Sequence, residues 1–551
     1  MLIVILFSNT EFWIHTNFKS DTVPVNRITE HVKIFAKDPR PNGSEQIDKV
    51  KNYIVKQTTD AGLKADVQNY QGNITYDGFE GNVNLNNIMV SIEGSGINHK
   101  RQNIYFMAHY DSVPTGPGAN DNGVNVAILL ELIKYAQSKK FENNIHMIFT
   151  DGEEKGLLGS YIFWNNLENI ENSDLVINLE ARGVSGASVL FQTSENNFEL
   201  IKSLANTKQL INTNSFLTDI YSLLPNDTDL SVPLEKKLAG LNYTYFNGYD
   251  YYHTEKDNSD NLKPETIVSQ YLNIQHSLDI FGNNNLSLSS NKNAIYFSSF
   301  GQLIVLDEIS IFVISIVSII VGILFLITLS GKNLIVMIQK NLIIIFLVVM
   351  GILLSYMISF LLWKFVAEKM TIFNGATYDQ YAYTSIFICT SILFYLFLNI
   401  KYRLVIDYDD MLLVNSELLI LSLIFLKGAS YLFLIGLITS LLCSMINLTM
   451  KHLHLKHYLV LITNIISLML YVPIIYLCWN GLTYEMMFII VIPTILLLIG
   501  LSPMINLLSI QQKIKIQWVV IFFIIFLTGV LVFNSCNGNY ELYENIQSVF
   551  E

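Results

Sequence analysis

Long apolar segments occupy the C-terminal half of the chain and are separated by short polar loops. The first of them, Ile309 to Leu329, reads ISIFVISIVSIIVGILFLITL and contains no charged residue. A bilayer core of roughly 30 Å needs about 20 apolar helical residues, so this segment is long enough to cross a membrane. The pattern predicts a polytopic α-helical membrane domain of about eight spans over residues 309–534, embedded in a lipid bilayer and followed by a tail at 535–551. The predicted spans are 309–329, 342–363, 381–400, 411–426, 429–448, 458–478, 485–508 and 517–533.

The distribution of lysine and arginine among the short loops predicts the orientation of the chain, because basic loops remain on the cytoplasmic side. Most of these residues lie in the loops after the first, third, fifth and seventh spans. We therefore expect a multi-pass membrane protein with its N-terminal half and its C-terminal tail on the non-cytoplasmic face. That face is the cell surface in a bacterium and an organelle lumen in a eukaryote. The more basic loops carry Lys332, Lys340, Lys401, Arg403, Lys451, Lys456, Lys513 and Lys515, and the loops on the other side carry Lys364, Lys369 and Lys427.

The N-terminal half alternates amphipathic helical segments with short apolar runs rich in β-branched residues. Helical periodicity is clear at Glu45–Leu63, Asn125–Gln137 and Glu265–Phe281. Helices that alternate with strands predict an α/β domain with a mostly parallel central sheet flanked by helices, here over residues 26–285, with a linker at 286–308. The predicted strands are 87–92, 103–108, 145–150, 174–180, 188–193 and 242–246.

The first residues, MLIVILF, are apolar but too few for a membrane span. We interpret residues 1–25 as the end of an N-terminal membrane anchor and its linker, since the predicted topology requires a preceding helix. An ordinary chain terminus is the alternative interpretation.

Charge and cysteine content exclude some partners and crosslinks. The net charge of −12 argues against nucleic acid as a partner, because no basic face is available to replace counterions. All four cysteines, Cys389, Cys443, Cys478 and Cys536, lie in or beside the apolar half. No disulfide framework is therefore expected in the N-terminal domain, and cysteine usage leaves its compartment open.

Histidines and carboxylates lie near the carboxyl ends of the predicted strands, where ligands gather in parallel α/β sheets. Any one of them could be an ordinary surface residue or a helix cap. Several carboxylates at one rim, with no basic residue balancing them, would however be costly to bury unless a cation were bound. The sequence therefore predicts a site for divalent metal at this edge of the sheet. Its residues are His109 and Asp111 after the second strand, Asp121 before the helix at Asn125–Gln137, Glu153 and Glu154 after the third strand, Glu180 at the end of the fourth, and His253 in the loop after the last.

Five ordered motifs carry a resemblance to a known family. Over about residues 30–285 the chain resembles the co-catalytic di-zinc exopeptidases of the aminopeptidase and glutamate-carboxypeptidase type. A domain of this type followed by a polytopic membrane half is most similar to the membrane-anchored branch that includes vacuolar-membrane and endoplasmic-reticulum metallopeptidases. The motifs are AHYDS (108–112), GANDNG (118–123), DGEEKGLLGS (151–160), NLEARG (178–183) and YYHTEKD (251–257), and RPNGSEQ (40–46) is similar to the family's entry motif.

The resemblance implies a zinc exopeptidase fold with two Zn²⁺ ions joined by one bridging carboxylate. Glu180 stands where most aminopeptidases of the family have aspartate, and the membrane-anchored branch is similar in using glutamate. The segment LPNDTDLSVP (224–233) resembles a loop near the substrate pocket, although it can also be an Asx-rich surface turn. The implied roles are His109 and Glu180 as ligands of one zinc, Glu154 and His253 as ligands of the other, Asp121 as the bridge, Glu153 as the general base, Asp111 as the acceptor that fixes the tautomer of His109, Tyr252 as the donor to the tetrahedral oxyanion, and Asp227 and Asp229 as substrate-binding residues.

These roles imply a membrane-anchored metallopeptidase, an aminopeptidase that hydrolyses the N-terminal residues of peptides through a metal-activated water. The alternatives are a carboxypeptidase or dipeptidase of the same fold, a peptide-binding relative that has lost its metals, and a transporter whose N-terminal domain captures substrate. The same ligand types also suit cobalt or manganese. The sequence leaves open the oligomeric state, the preferred side chain and the role of the membrane half.

Overall fold

The computed structural model describes residues 23–96, 101–168, 170–171, 174–206, 211–224, 226–283, 291–331, 333–365, 371–372, 376–377, 380–402, 405–449 and 453–537. These residues divide into two compact units that meet in the sequence between Glu308 and Ile309. The segments 1–22 and 538–551, which belong to the predicted anchor and tail, lie outside the described residues.

An eight-stranded mixed sheet forms the centre of the N-terminal unit. Its strands are β1 (Ala65–Tyr76), β2 (Phe79–Ile92), β3 (Asn103–His109), β4 (Asn144–Thr150), β5 (Leu175–Leu179), β6 (Val189–Thr193), β7 (Asn212–Thr213) and β8 (Ala239–Thr244). The order across the sheet is β1-β2-β4-β3-β5-β8-β6-β7. The central strands β4, β3, β5 and β8 are parallel, whereas β2 is antiparallel to β4 and β6 is antiparallel to β8. The predicted α/β fold is confirmed, with a parallel centre and antiparallel flanks.

Alternate residues of β3 show that both faces of the sheet are covered. Ile104, Phe106 and Ala108 pack in one hydrophobic cluster, and Tyr105 and Met107 pack in another. Side chains that alternate along a strand leave on opposite faces, so each cluster lies on one face of the sheet. A strand buried on both faces reads as a continuous apolar run, which is why β3 was visible in the sequence.

The helices of this unit lie close to their predicted positions. The helix at Glu45–Asp60 begins where the Ser44 side chain accepts a hydrogen bond from Ile47 N–H, and it stops before Gly62, which has a φ of 80°. Glycine adopts this left-handed conformation without the strain a side chain would add, so it ends the helix before the predicted Leu63. The helices are Val25–Phe35, Glu45–Asp60, Asn125–Ser138, Leu158–Asn166, Phe198–Ala205, Ser215–Tyr221, Ser231–Glu235 and Pro264–Phe281.

The interval 286–308, predicted to be a linker, contains an antiparallel hairpin of β9 (Ala294–Ser299) and β10 (Gln302–Asp307). Ala294 and Tyr296 are buried in the hydrophobic cluster of the N-terminal unit. Residues 294–307 therefore form a hairpin that packs on the α/β core.

The C-terminal unit consists mainly of helices. A short strand pair, β11 (Thr371–Ile372) and β12 (Ala376–Thr377), lies between two of them. The helices are Glu308–Thr328, Leu334–Phe365, Gln380–Lys401, Tyr408–Phe425, Ser430–Thr449, Leu453–Gly481, Val491–Gly500, Ser502–Leu507 and Ile510–Asn537.

Six segments among the described residues are helices long and apolar enough to cross a membrane, so the predicted count of about eight is not confirmed. The predicted span 411–426 corresponds to Tyr408–Phe425, whose 18 residues include three acidic side chains, Asp409, Asp410 and Glu417. The six candidates are Glu308–Thr328, Ile335–Leu362, Tyr381–Lys401, Lys427–Thr449, His457–Gly481 and Ile510–Gly529.

The predicted span 485–508 is divided into shorter pieces. A 3₁₀ segment ends at Ile490, one helix ends at Gly500, and the next starts at Ser502 with Pro503 in its first turn. Proline lacks an N–H and fixes its own φ, so it is tolerated at a helix start and interrupts a continuous helix elsewhere. The apolar pattern alone could not reveal this break.

Candidate metal centre

His109 is the last residue of β3, and its side chain is only 1% exposed. Its Nε2 atom lies 3.3 Å from Asp121 Oδ1 and 3.7 Å from Glu180 Oε2. Glu180 directly follows β5, which is the parallel neighbour of β3, and its carboxylate accepts a hydrogen bond of 2.9 Å from Asn178 Nδ2. The parallel strands therefore deliver a histidine and a carboxylate to one point at the edge of the sheet.

Asp111 connects the His109 ring to the turn that follows β4. One Asp111 carboxylate oxygen lies 3.4 Å from His109 Nδ1. The two oxygens also accept hydrogen bonds from the backbone N–H groups of Glu153 and Glu154, each at 3.2 Å. Asp111 thus contacts the histidine on the side away from the other carboxylates and fixes the backbone of the glutamate pair.

Asp121 lies between two histidines and offers a different oxygen to each. Its Oδ1 faces His109 Nε2 at 3.3 Å, and its Oδ2 faces His253 Nε2 at 3.1 Å. The backbone around it is held by Asp257, whose carboxylate accepts hydrogen bonds from the N–H groups of Asn120 at 2.8 Å and Asp121 at 3.0 Å. Asp257 was not singled out from the sequence, although it is the last residue of the YYHTEKD motif.

The two adjacent glutamates face different partners. Glu154 Oε2 lies 3.2 Å from His253 Nε2, whereas Glu153 Oε2 lies 3.9 Å from His109 Nε2. The turn that separates them from β4 begins at Gly152, which has a φ of 75°. A left-handed glycine lets the chain reverse sharply here, so both carboxylates are directed back over the end of the sheet.

The spacing of these atoms fits metal ligation. Zinc bound tetrahedrally at about 2.0–2.1 Å from its ligands holds those ligand atoms about 3.3–3.4 Å apart. Among the described residues, certain sets of three histidine or carboxylate side chains have ligand atoms that all lie within 4.8 Å of one another. Three overlapping groups satisfy this condition: His109, Asp121 and Glu180; Asp121, Glu154 and His253; and His109, Glu153 and Glu154.

Electrostatics also favour a cation at this position. Burial lowers the pKa of His109, but nearby carboxylates, led by Glu153, raise it by more, so the net pKa is well above the usual value. Burial likewise lowers the pKa of His253, while Glu154 and then Asp121 raise it to about 9. Burial raises the pKa of both Glu153 and Glu154, and neighbouring carboxylates add to the effect. The cluster therefore retains protons that a divalent cation would displace on binding.

Arg40 is a basic residue near this rim, contrary to the expectation that none balances the carboxylates. It is fully buried, and its guanidinium donates hydrogen bonds to the carbonyl oxygens of Tyr110 at 2.7 Å and Gly118 at 2.8 Å, and to that of Pro117. Burial lowers the pKa of Arg40, and nearby carboxylates, led by Asp111, oppose this effect. The RPNGSEQ motif marked the residue in the sequence, but not its role in joining the segments that carry Asp111 and Asp121.

The two aspartates of the LPNDTDLSVP segment are in different environments. Asp229 is fully buried, its Oδ2 accepts a hydrogen bond from Thr150 Oγ1, and its Oδ1 has no hydrogen-bond partner among the described residues. Burial raises the pKa of Asp229 to about 7. Asp227 is exposed and accepts a hydrogen bond of 2.8 Å from Ser231 Oγ, as in the alternative of a surface turn.

Tyr252 lies directly against a predicted metal ligand. Its ring stacks on the His253 ring with centroids 3.7 Å apart and an interplanar angle of 20°. His253 itself has a φ of 59°, in the left-handed region that few side chains adopt without strain. The turn therefore holds both rings in a defined orientation at the edge of the cluster.

The N-terminal half of the chain is similar to known peptidases. Residues 87–277 match peptidase family M28. A vacuolar membrane protease from Candida glabrata is 28% identical over 332 residues, covering 58% of this chain and 33% of that protein. A vacuolar membrane protease from Lodderomyces elongisporus is also 28% identical, over 290 residues, covering 49% of this chain and 29% of that protein.

The chain thus spans about a third of the length of these relatives. Among solved structures, an aminopeptidase from Aneurinibacillus sp. strain AM-1 is 14% identical with a TM-score of 0.40, covering 48% of this chain and 93% of that one. The family match covers the segment that contains every residue of the cluster, and the same chain carries the apolar helices of a membrane protein. Residues 87–277 are therefore similar to peptidase family M28, and the chain resembles the membrane branch of the zinc exopeptidases.

Proposed function

We propose that this chain is a membrane-anchored di-zinc aminopeptidase that removes N-terminal residues from peptides on the non-cytoplasmic side of the membrane. One observation carries the proposal: the two oxygens of Asp121 face two different histidines, at 3.3 Å and 3.1 Å. A single carboxylate shared in this way suits two neighbouring ions better than one. The choice of aminopeptidase over carboxypeptidase follows the resemblance of the motifs.

His109, Asp121 and Glu180 would hold one ion, and Asp121, Glu154 and His253 would hold the other. Zinc at such a site lowers the pKa of a bound water and polarises the carbonyl that the water attacks. Among the described residues, Glu153 is the carboxylate of the cluster that is left outside both groups. It is therefore available to accept the proton of the water and to donate it to the leaving amine.

Neighbouring residues position this machinery. Asp111 accepts from the backbone N–H groups of Glu153 and Glu154 and contacts His109, so it controls the base and a ligand together. Tyr252 stacks on His253, and we propose that its hydroxyl donates a hydrogen bond to the oxyanion of the tetrahedral species. A donor aimed at developing charge is worth roughly 10²–10³ in kcat, so its loss should be easy to measure.

The orientation is supported by the basic residues even when only the six long helices are counted. The loops and helix ends on the side opposite the peptidase domain remain the more basic ones. They carry Lys332, Lys340, Lys401, Arg403, Lys427, Lys513 and Lys515, against Lys364, Lys369, Lys451 and Lys456 on the other side.

The proposal is tested with full-length protein purified in detergent. We expect a zinc content near two per chain and hydrolysis of leucine anilides with a free amino group but not of N-acetylated ones. Glu153→Gln should retain zinc and lose at least about 10²-fold in kcat, because only proton transfer is removed. Glu154→Ala should instead weaken binding of the ion that Glu154 would ligate, so the zinc content should fall towards one per chain.

Glu80→Gln is the matched control, since Glu80 is an exposed glutamate of β2. It should behave like the wild type in both assays. Full activity of Glu153→Gln would refute the base assignment, and a folded protein that binds no zinc would refute the mechanism. Cleavage only of peptides with a free C-terminus would make the enzyme a carboxypeptidase.

A further inference from the structure

Arg182 lies at the end of a column of stacked rings that leads to the metal centre. Its guanidinium lies over the Tyr249 ring, with Cζ 5.0 Å from the centroid, and Nη2 donates to Tyr249 Oη at 3.2 Å. Tyr249 stacks on Tyr252 with centroids 5.5 Å apart, and Tyr252 stacks on His253 at 3.7 Å. The cation is thus fixed by the same rings that orient a metal ligand.

Arg182 also lies on the same face of the backbone as Glu180. The N–H groups of Glu180, Arg182 and Val184 donate in turn to the carbonyl oxygens of residues 243, 245 and 247, so the pairing of β5 with β8 continues beyond the strand ends. Residues two apart in such a ladder leave on the same face, about 7 Å from each other. The arginine therefore borders the site on the side of Glu180.

The Arg182 side chain is half-buried and lacks a direct carboxylate partner in the part of the chain that the structure describes. Among the described residues, Arg182 forms no ion pair with a carboxylate, and its buried Nε–H has no hydrogen-bond acceptor. An uncompensated cation and an unpaired donor are both unfavourable in a buried position. Arginine retains its charge at every working pH, so an anion that enters the site can pair with this side chain.

A second donor without a partner lies near Arg182. The Tyr221 hydroxyl is buried and has no hydrogen-bond partner among the described residues. Burial raises the pKa of Tyr221, so it remains a neutral donor, and the charges of Arg182 and Glu180 both act on it. Two donors with free N–H and O–H groups at one border of a carboxylate-rich centre are suited to a carboxylate ligand.

We infer that Arg182 binds a carboxylate of the substrate, so that the enzyme selects peptides that present an acid close to the scissile bond. This inference rests on the proposed function and specifies its substrate class. The carboxylate can be the C-terminus of a dipeptide or an acidic side chain. Tyr221 would add the second hydrogen bond.

Two substrate pairs distinguish these sources in full-length, zinc-loaded protein. Leu-Gly against Leu-Gly-amide reports on a terminal carboxylate, and glutamyl against glutaminyl anilide reports on a side-chain carboxylate. We expect the acid of one pair to be preferred by about 10- to 100-fold in kcat/KM, as for a charge-assisted pair. In Arg182→Gln the ratio should fall below about threefold, and Arg182→Lys should restore part of it because the charge but not the fork is kept.

The ratio of acid to neutral substrate separates recognition from a structural role, because a merely misfolded site would lose both substrates equally. Tyr221→Phe should reduce the ratio by less than Arg182→Gln does. Lys256→Gln is the matched control, because Lys256 is also a cation over a tyrosine ring: its Nζ lies 5.3 Å from the ring centroid of Tyr251. This variant should leave the ratio unchanged. Equal rates for both members of both pairs in the wild type, or a preference that survives Arg182→Gln, would overturn the inference.

Binding measurements keep this result distinct from failure of the proposed function. If no peptide is hydrolysed by zinc-loaded protein, the aminopeptidase proposal fails. Calorimetric titration of Glu153→Gln with Leu-Gly and Leu-Gly-amide still decides the carboxylate subsite. Tighter binding of the acid that is lost in the Glu153→Gln, Arg182→Gln double variant supports it, and equal affinities refute it.

Discussion

Asp111→Asn should weaken zinc binding although Asp111 is not expected to touch a metal ion. The carboxylate accepts two backbone hydrogen bonds of 3.2 Å from Glu153 and Glu154 with its two oxygens, and it lies 3.4 Å from His109 Nδ1. Asparagine offers one acceptor oxygen and an NH₂ group, so at least one backbone donor is left facing another donor. The replacement keeps the volume of the side chain and changes only its charge and hydrogen bonding.

The magnitude follows from these contacts. A buried donor left without its partner costs about 1–3 kcal/mol, and losing the carboxylate next to a ligating histidine reduces its basicity. We expect zinc affinity to fall about 10- to 100-fold, which corresponds to about 1.4–2.7 kcal/mol. Activity at saturating zinc should also fall, because the same contact fixes the backbone of Glu153.

Competition with a fluorescent chelator measures the affinity, and hydrolysis of a leucine anilide at saturating zinc measures the activity. Asp66→Asn is the control, because Asp66 is exposed on β1 and accepts a hydrogen bond from Gln68 in the same strand. Unchanged affinity in Asp111→Asn would show that the contact with His109 and the glutamate turn has no influence on the metal, and the positioning argument would fail.

Three further predictions concern stability. Burial raises the pKa of Glu131, but hydrogen bonds from His31, Arg27 and Lys134 lower it by more, so the net pKa is about 2. The wild type should therefore be stabilised above about pH 4.5 by on the order of 3 kcal/mol. This stabilisation should be lost as the pH falls towards 2. The melting temperatures of wild type and Glu131→Gln should accordingly converge in acid, and a constant difference at all pH values would contradict this. Arg40→Met leaves several carbonyl oxygens without their buried donor, so the melting temperature should fall by roughly 5–15 °C, with Arg40→Lys less affected; unchanged melting would contradict it. Removal of zinc by a chelator should lower the melting temperature of the wild type by more than that of Glu154→Ala, which keeps the ligands of the other ion, and equal shifts in both proteins would argue against Glu154 as a ligand.

The sequence was informative where chemistry and burial coincide in a short stretch. β3, β4 and β5 are buried on both faces and read as apolar runs, and the polar residues directly after them converge because parallel strands end at one edge. Helices with regular spacing were also visible, to within a few residues at their ends.

The remaining features depend on contacts that are distant in the sequence. β1 alternates polar and half-buried residues without an apolar run, and Asp257 acts through hydrogen bonds to backbone groups about 137 residues away. The break in the predicted span 485–508 depends on where proline and glycine fall within an apolar segment, which hydropathy alone does not show. Arg182 lies within the NLEARG motif, but the stacked rings beside it and its unpaired Nε–H among the described residues depend on the folded surroundings.

The position of β1 has a consequence for the behaviour of the domain in solution. β1 is a 12-residue strand at one edge of the sheet, whereas β7 at the opposite edge has only two residues. A long open edge offers backbone groups to which another chain can add, and this is a common route to aggregation. The exposed positions of β1 are Asp66, Val67, Asn69, Gln71, Asn73 and Thr75. Most of these side chains are polar and one is charged, so pairing with another chain would bury groups that prefer water. The polar composition of β1 thus keeps this edge from acting as a template, and apolar replacements along β1 would remove that protection.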